Sequence, residues 1–228
     1  MGTILGANFA FAGISINSGS AVIETNPTNF GYTGDRYDDP IGSDPIHAWF
    51  EQGNISLPSA TTVDIASSGV YGASFVSANV QLPAGTLVNS YFFYYDPGPG
   101  NGPSVKASFH IDETILGVIV LDGNGYVGVS DRFVASDFLS APGTPTIYQP
   151  VSHFDGRGLE MYGPNLVDTV RLDIAHGNIS FELAAAVPGD QIRVITAVPE
   201  PTSLAFIIAG VGIMAFGRRR RKQSAAVG

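Results

Sequence analysis

The chain of 228 residues contains no cysteine, so disulfides, thiolate nucleophiles and Cys-ligated metal centres are excluded. Charge is sparse at 14% of residues, and cations are the scarcer sign. Five of the eleven Lys and Arg sit at 218–222, which leaves six against all 20 Asp and Glu in residues 1–217, a net charge of −14. That balance repels nucleic acid and anionic lipid surfaces, so no nucleic-acid partner is expected. A Gly-x-Ser-x-Gly elbow, a phosphate-cradling glycine loop, a dinucleotide fingerprint and a His-Glu-x-x-His pair are also missing. What the chain does hold is 44% hydrophobic residues with 28 Gly and 15 Pro. Without cross-links, burial alone must hold the fold, and the length suffices for one domain with a sizeable core.

The body alternates with a two-residue period. Segments 63–65, 88–95, 105–111, 115–121, 167–174, 179–183 and 192–195 are rich in Val, Ile, Phe, Tyr and Thr and are bounded mostly by Gly, Pro, Asn or Asp, the pattern of strands. In 104–111, Val105, Ala107, Phe109 and Ile111 fall on one face, and Ser104, Lys106, Ser108 and His110 on the other. The run 115–121 is apolar throughout, which suits a strand buried on both sides. Residues 96–103 read as a loop, and His176-Gly177-Asn178 as a tight joint between strands. Only 130–139 reads as helix, with Ser130 as N-cap and Phe133, Val134 and Phe138 at helical spacing. Many short strands and one short helix predict an all-β fold, an antiparallel β-sandwich of jelly-roll type.

Few side chains single themselves out for chemistry. His47, His110, His153 and His176 are too scattered for a metal motif. Asp112 and Glu113 are adjacent; on a strand they would point to opposite faces and could not flank one glycosidic bond. Asp155 and Glu160 carry no distinguishing pattern. Two acidic loops offer oxygen ligands for Ca²⁺, Asp122 with Asn124 and the cluster Asp35, Asp38 and Asp39; the structural reading of the first is a turn, since Asp-Gly and Asn-Gly are strong turn formers. The densest aromatic run is 91–95, where Tyr91, Phe93 and Tyr95 share one face and Phe92 and Tyr94 the other. The plainer reading is core on one side and a partly covered surface on the other. The sharper reading makes Tyr91, Phe92 and Tyr94 a stacking platform for a sugar ring. Trp49, the single tryptophan, reads as core.

The C-terminal region has three parts in order. Pro199, Glu200 and Pro201 precede 202–217, which carries no charge, and Arg218, Arg219, Arg220, Arg221 and Lys222 follow. As a helix, the 17 residues 201–217 reach about 26 Å at ~1.5 Å per residue, just short of a hydrocarbon core roughly 30 Å thick. The cations would stay cytoplasmic, which places the bulk of the chain on the other side of the membrane. This arrangement closely resembles the PEP-CTERM sorting signal of exported bacterial proteins. The resemblance implies recognition through Pro199, Glu200 and Pro201, removal of the tail by an exosortase, and a topology signal in the basic cluster. Segments 48–57 (Ala48-Trp-Phe-Glu-Gln-Gly-Asn-Ile-Ser-Leu57), 84–91, 115–119, 157–160 and 190–196 are similar to segments of exported PEP-CTERM proteins, and this second resemblance implies fold and address but no activity.

The organisation expected is therefore an apolar lead-in at 1–24, a β-sandwich ectodomain at 25–197, the sorting signal with a single transmembrane helix at 198–222, and a tail at 223–228. In the lead-in, 4–12 is apolar and Ala10-Phe11-Ala12 has the small-x-small form, yet no cation precedes Arg36. It is either a truncated signal peptide or a first strand. The function expected is that of a non-enzymatic exported protein, held at the inner membrane as a precursor and then placed at the cell surface or in the extracellular matrix. No cofactor is expected beyond the Ca²⁺ reading, and exopolysaccharide is the candidate partner besides the exosortase. A carbohydrate-binding module and a secreted hydrolase are the alternatives.

Overall fold

A computed structural model describes residues 13–24, 45–72, 75, 77–95, 104–120, 132–140, 158–159, 168–184 and 190–199. The chain divides into two units, Met1–Val198 and Pro199–Gly228; of the second, only Pro199 is among the described residues, and it is exposed. Twelve described strands run β1 Ile14–Gly19, β2 Ala21–Glu24, β3 Ile46–Ser56, β4 Thr61–Val63, β5 Gly69–Tyr71, β6 Val80–Leu82, β7 Leu87–Tyr95, β8 Val105–Ile111, β9 Ile115–Ile119, β10 Thr169–Asp173, β11 Asn178–Leu183 and β12 Asp190–Ala197. One short helix, α1 Arg132–Ser136, continues into a 3₁₀ turn at Asp137–Leu139.

Two five-stranded sheets form, in the orders β1-β8-β11-β10-β5 and β2-β3-β7-β12-β9. Their pairings are antiparallel except for β2 with β3. Both sheets contribute to one apolar cluster, with Phe109, Phe181 and Leu172 from the first and Tyr91, Phe93, Tyr95 and Val194 from the second. Edge-to-face rings cross the interface, Phe93 lying 4.9 Å from Phe109 and 5.0 Å from Phe181 between centroids. This is the packing of a β-sandwich.

The second sheet is covered on its other side as well. The β4–β6 pair and α1 bring Val63, Leu82, Phe133 and Leu139 onto Trp49, Phe92, Tyr94 and Ile195, forming a second cluster. A sheet buried on both faces needs continuous rather than alternating hydrophobicity, which is why every residue of β7 after Leu87 is buried. The first sheet keeps the alternation, with Val105, Ala107, Phe109 and Ile111 inside and Lys106 outside. Gly117 belongs to this covering, because a Cβ there would lie 2.5 Å from the Val63 side chain.

Expected strands at 88–95, 105–111, 115–121, 167–174, 179–183 and 192–195 all appear with shifts of a few residues. The strand expected at 63–65 lies earlier, at Thr61–Val63, with Ile65 reduced to a bridge to Val118. β1 and β2 fall inside the lead-in segment and pair into the two sheets, so the folded domain begins at least as early as Ile14. Residues 4–12 lie outside the described residues. Among the described residues no helix is long and apolar enough to cross a membrane, and 202–217 lies outside them.

Candidate functional site

The outward face of the first sheet is a continuous polar surface built by strand alternation. Because Ile179, Phe181 and Leu183 point into the core, Asn178, Ser180 and Glu182 of β11 point out; Thr169, Arg171 and Asp173 of β10 do the same opposite Val170 and Leu172. Register then sets these side chains in rows. Val70, Arg171, Ser180, Ser108 and Ser18 form the central row, flanked by Asp173, Asn178, His110 and Ser15 on one side and Thr169, Glu182 and Lys106 on the other. Two shallow depressions of about 490 and 240 Å³ lie on this face, and both are lined by Arg171, Ser108 and Ser180.

Most of the charged groups on this face are matched locally. Lys106 Nζ lies 2.6 Å from Glu182 Oε1, His110 Nε2 3.0 Å from Asp112 Oδ1, and His176 Nδ1 2.7 Å from Asp173 Oδ2. The other ring nitrogen of His110 lies 3.2 Å from Asn178 Oδ1, which also accepts from Asn17 Nδ2 at 3.2 Å. Both His110 nitrogens are therefore engaged, and neither is bonded to a serine. Ser18 and Ser108 share a hydrogen bond of 2.8 Å between their hydroxyls. Chemically, the face offers hydroxyls, amides and one guanidinium to a ligand lying across the strands.

Among the described residues, three networks of buried polar groups hold the frame. Arg193 of β12 grips Glu51 of β3 with Nε and Nη2, both side chains being fully buried. Its Nη1 donates to Ser136 Oγ at 2.5 Å, so the helix end is clipped to the sheet. Asp64, also fully buried, meets Arg132 Nε at 2.8 Å, accepts Ser77 Oγ at 2.8 Å and accepts the Val120 amide at 3.0 Å. Glu113 accepts from Asn89 Nδ2 at 2.6 Å, from Thr196 Oγ1 and from the Tyr91 hydroxyl. Burial pushes the Glu113 carboxyl above its ordinary value against the pull of those donors, and burial followed by the Glu113 charge raises the Tyr91 phenol.

Two sequence expectations are corrected here. Tyr91, Phe92 and Tyr94 are 0%, 1% and 7% exposed, so none presents a ring face to a sugar: Tyr91 lies between the sheets and the other two lie under α1 and the β4–β6 pair. Asp112 and Glu113 sit in the turn between β8 and β9 rather than on a strand. They diverge all the same, Asp112 to solvent and Glu113 into the sandwich. Trp49 is core, at 1% exposure.

The Ca²⁺ candidates Asp35, Asp38, Asp39, Asp122 and Asn124 lie outside the described residues, as do Ser130, Asp155, Glu160, Glu200, Pro201 and the cations Arg218, Arg219, Arg220, Arg221 and Lys222. Among the described residues no group of three or more His, Asp or Glu could hold a metal ion. The face centred on Arg171 and Ser180 was not singled out by sequence, although Arg171 was legible as the polar member of an alternating strand.

Neither a curated protein nor a solved structure matches the chain. A family match does exist at its C-terminal end, over residues 197–222, to the PEP-CTERM protein-sorting motif. That motif marks exported, cell-envelope-associated proteins that an exosortase processes. The chain is thus an exported protein carrying a PEP-CTERM sorting motif behind an all-β domain.

Proposed function

We propose that this chain is a non-enzymatic surface or matrix protein, anchored at the inner membrane through 202–217 until an exosortase removes the tail. The mature β-sandwich then associates with extracellular polysaccharide through the outward face of its first sheet. The observation that carries this reading is the shape and chemistry of that face. It is open and shallow, and its rows of hydroxyl and amide groups suit an extended polyhydroxylated chain better than a small enclosed substrate. Sugar recognition would then rest on hydrogen bonds rather than on ring stacking.

A hydrolase would need two convergent carboxylates with room for a water or a nucleophile. On the described face Glu182, Asp112 and Asp173 are each matched to Lys106, His110 or His176, which favours the binding reading.

The test is fractionation of the native host with and without its exosortase, with the mass of the chain read in each fraction. The expected outcome is a tail-less form at the surface or in the matrix of the wild type, and a full-length form in the inner membrane of the mutant. The same mass in the same fraction in both strains would overturn the sorting half of the proposal. Failure of the mature protein to co-sediment with the host's secreted polysaccharide would overturn the binding half.

A further inference from the structure

We infer that the outward face of the first sheet is a site for an acidic polysaccharide, with Arg171 as the group that takes a sugar carboxylate; this rests on the polysaccharide reading above. Residues 1–217 hold six Lys and Arg, and the structure describes four of them. Arg193 and Arg132 are buried against Glu51 and Asp64, where they serve the frame. Lys106 is held by Glu182. Arg171 alone among these four has neither an ion pair nor a hydrogen bond. It stands exposed in the central row, between Ser180 and Val70.

The surroundings do not supply it with an acid. The nearby carboxylates are turned elsewhere, Asp173 to His176 and Glu182 to Lys106. Directly across the strand pair stands Ser180, whose hydroxyl likewise has no hydrogen bond to the protein. Val70, the partner on the other side, is 61% exposed and offers a small apolar contact. An unpaired guanidinium beside the free Ser180 hydroxyl, at the border of two depressions, is a fork for a carboxylate with polar flanks for the neighbouring hydroxyls. Residues 1–217 carry a net charge of −14, and among the described residues such an isolated positive centre would be where an anionic chain is attracted rather than repelled. Because the depressions continue on both sides of Arg171 along the sheet, a polymer with acid groups at intervals fits better than a free monosaccharide.

The experiment uses the full-length chain in a non-ionic detergent, run by affinity electrophoresis in native gels cast with polygalacturonate, with dextran or with dextran sulfate. Retardation by polygalacturonate above that by dextran is expected, weakened by salt. Arg171→Gln should lower the affinity about tenfold, the scale of one lost charge-assisted hydrogen bond at a site that stays wet. Ser180→Asp should do the same by giving Arg171 an internal carboxylate while leaving the cation in place, and melting curves would show both variants folded. Equal retardation by dextran and polygalacturonate, untouched by either variant, would sink the carboxylate site while leaving polysaccharide association standing. Stronger retardation by dextran sulfate than by polygalacturonate would overturn the carboxylate as the recognised group. No retardation in any gel would overturn this inference and the association it rests on.

Discussion

Arg193 and Glu51 are 142 positions apart in the chain and meet through two hydrogen bonds, of 2.9 and 3.1 Å, with neither side chain exposed to solvent. Between their strands runs β7, whose Phe92 ring lies 5.3 Å beneath the guanidinium. The ladder of β3 on β7 skips from Phe50 to Gln52, so Glu51 is the extra residue of a bulge and is free to reach across. Ser90 completes the acceptor with a 2.5 Å bond to Glu51 Oε2.

Removing one member of this pair leaves the other buried and uncompensated. Arg193→Met and Glu51→Gln should each lower the unfolding free energy by about 3–5 kcal/mol. The double variant Glu51→Leu/Arg193→Met should lose less than the sum of the two. Urea denaturation of the four proteins decides it, and additive losses would mean that the pair is not coupled.

Glu113 predicts a specific pH dependence. Its folded carboxyl is raised above the ordinary 4.5, so between 4.5 and the folded value the native state holds a proton that the unfolded state has lost. The stabilisation from this group is therefore full below about pH 4.5 and declines as pH rises through the folded value. Glu113→Gln should remove that decline. The stability difference between wild type and variant, followed by denaturant titration from pH 4 to 8, should shift against the wild type with rising pH; a constant difference would refute the assignment.

Gly177 closes the joint between β10 and β11 with φ +63°, and a Cβ there would lie 2.2 Å from the Ile111 carbonyl oxygen. Left-handed backbone costs a non-glycine residue about 1–3 kcal/mol even without a clash. Gly177→Val should thus destabilise by at least about 2 kcal/mol, read as a fall in melting temperature. Gly85→Ala is the comparison: its φ is +81° but nothing stands within 4 Å of the added Cβ, so its loss should be smaller.

The sorting motif makes a prediction independent of stability. Replacing Pro199, Glu200 and Pro201 with alanines should leave the tail attached in a host that has its exosortase, as seen by intact mass. A processed chain of wild-type mass would show that the motif is dispensable.

Much of this fold was legible along the chain. The alternation of 105–111 and 179–183 placed Phe109, Phe181 and their neighbours inside, and the split of Tyr91, Phe93 and Tyr95 from Phe92 and Tyr94 held in the two separate clusters. The strand β3 was harder to read, since its bulges and the left-handed Asn54 at φ 57° break the two-residue period. β1 was obscured for another reason: it is an edge strand with little buried surface, so its sequence Ile-Ser-Ile-Asn-Ser-Gly carries only a weak apolar stripe.

Sequence by itself determined the address, because a sorting motif is read by its order of residues, and the all-β class, because side-chain period follows backbone geometry. Only tertiary structure decided that both faces of β7 are covered, which removes Tyr91, Phe92 and Tyr94 from any ligand. It likewise decided that Glu51, Asp64, Glu113, Arg132, Asp168, Asp190 and Arg193 are buried, while Arg171 is left exposed and unmatched. Cations and carboxylates separated by as many as 142 positions meet only when the sheets assemble, and no local pattern in the chain encodes which cation finds a carboxylate and which one does not.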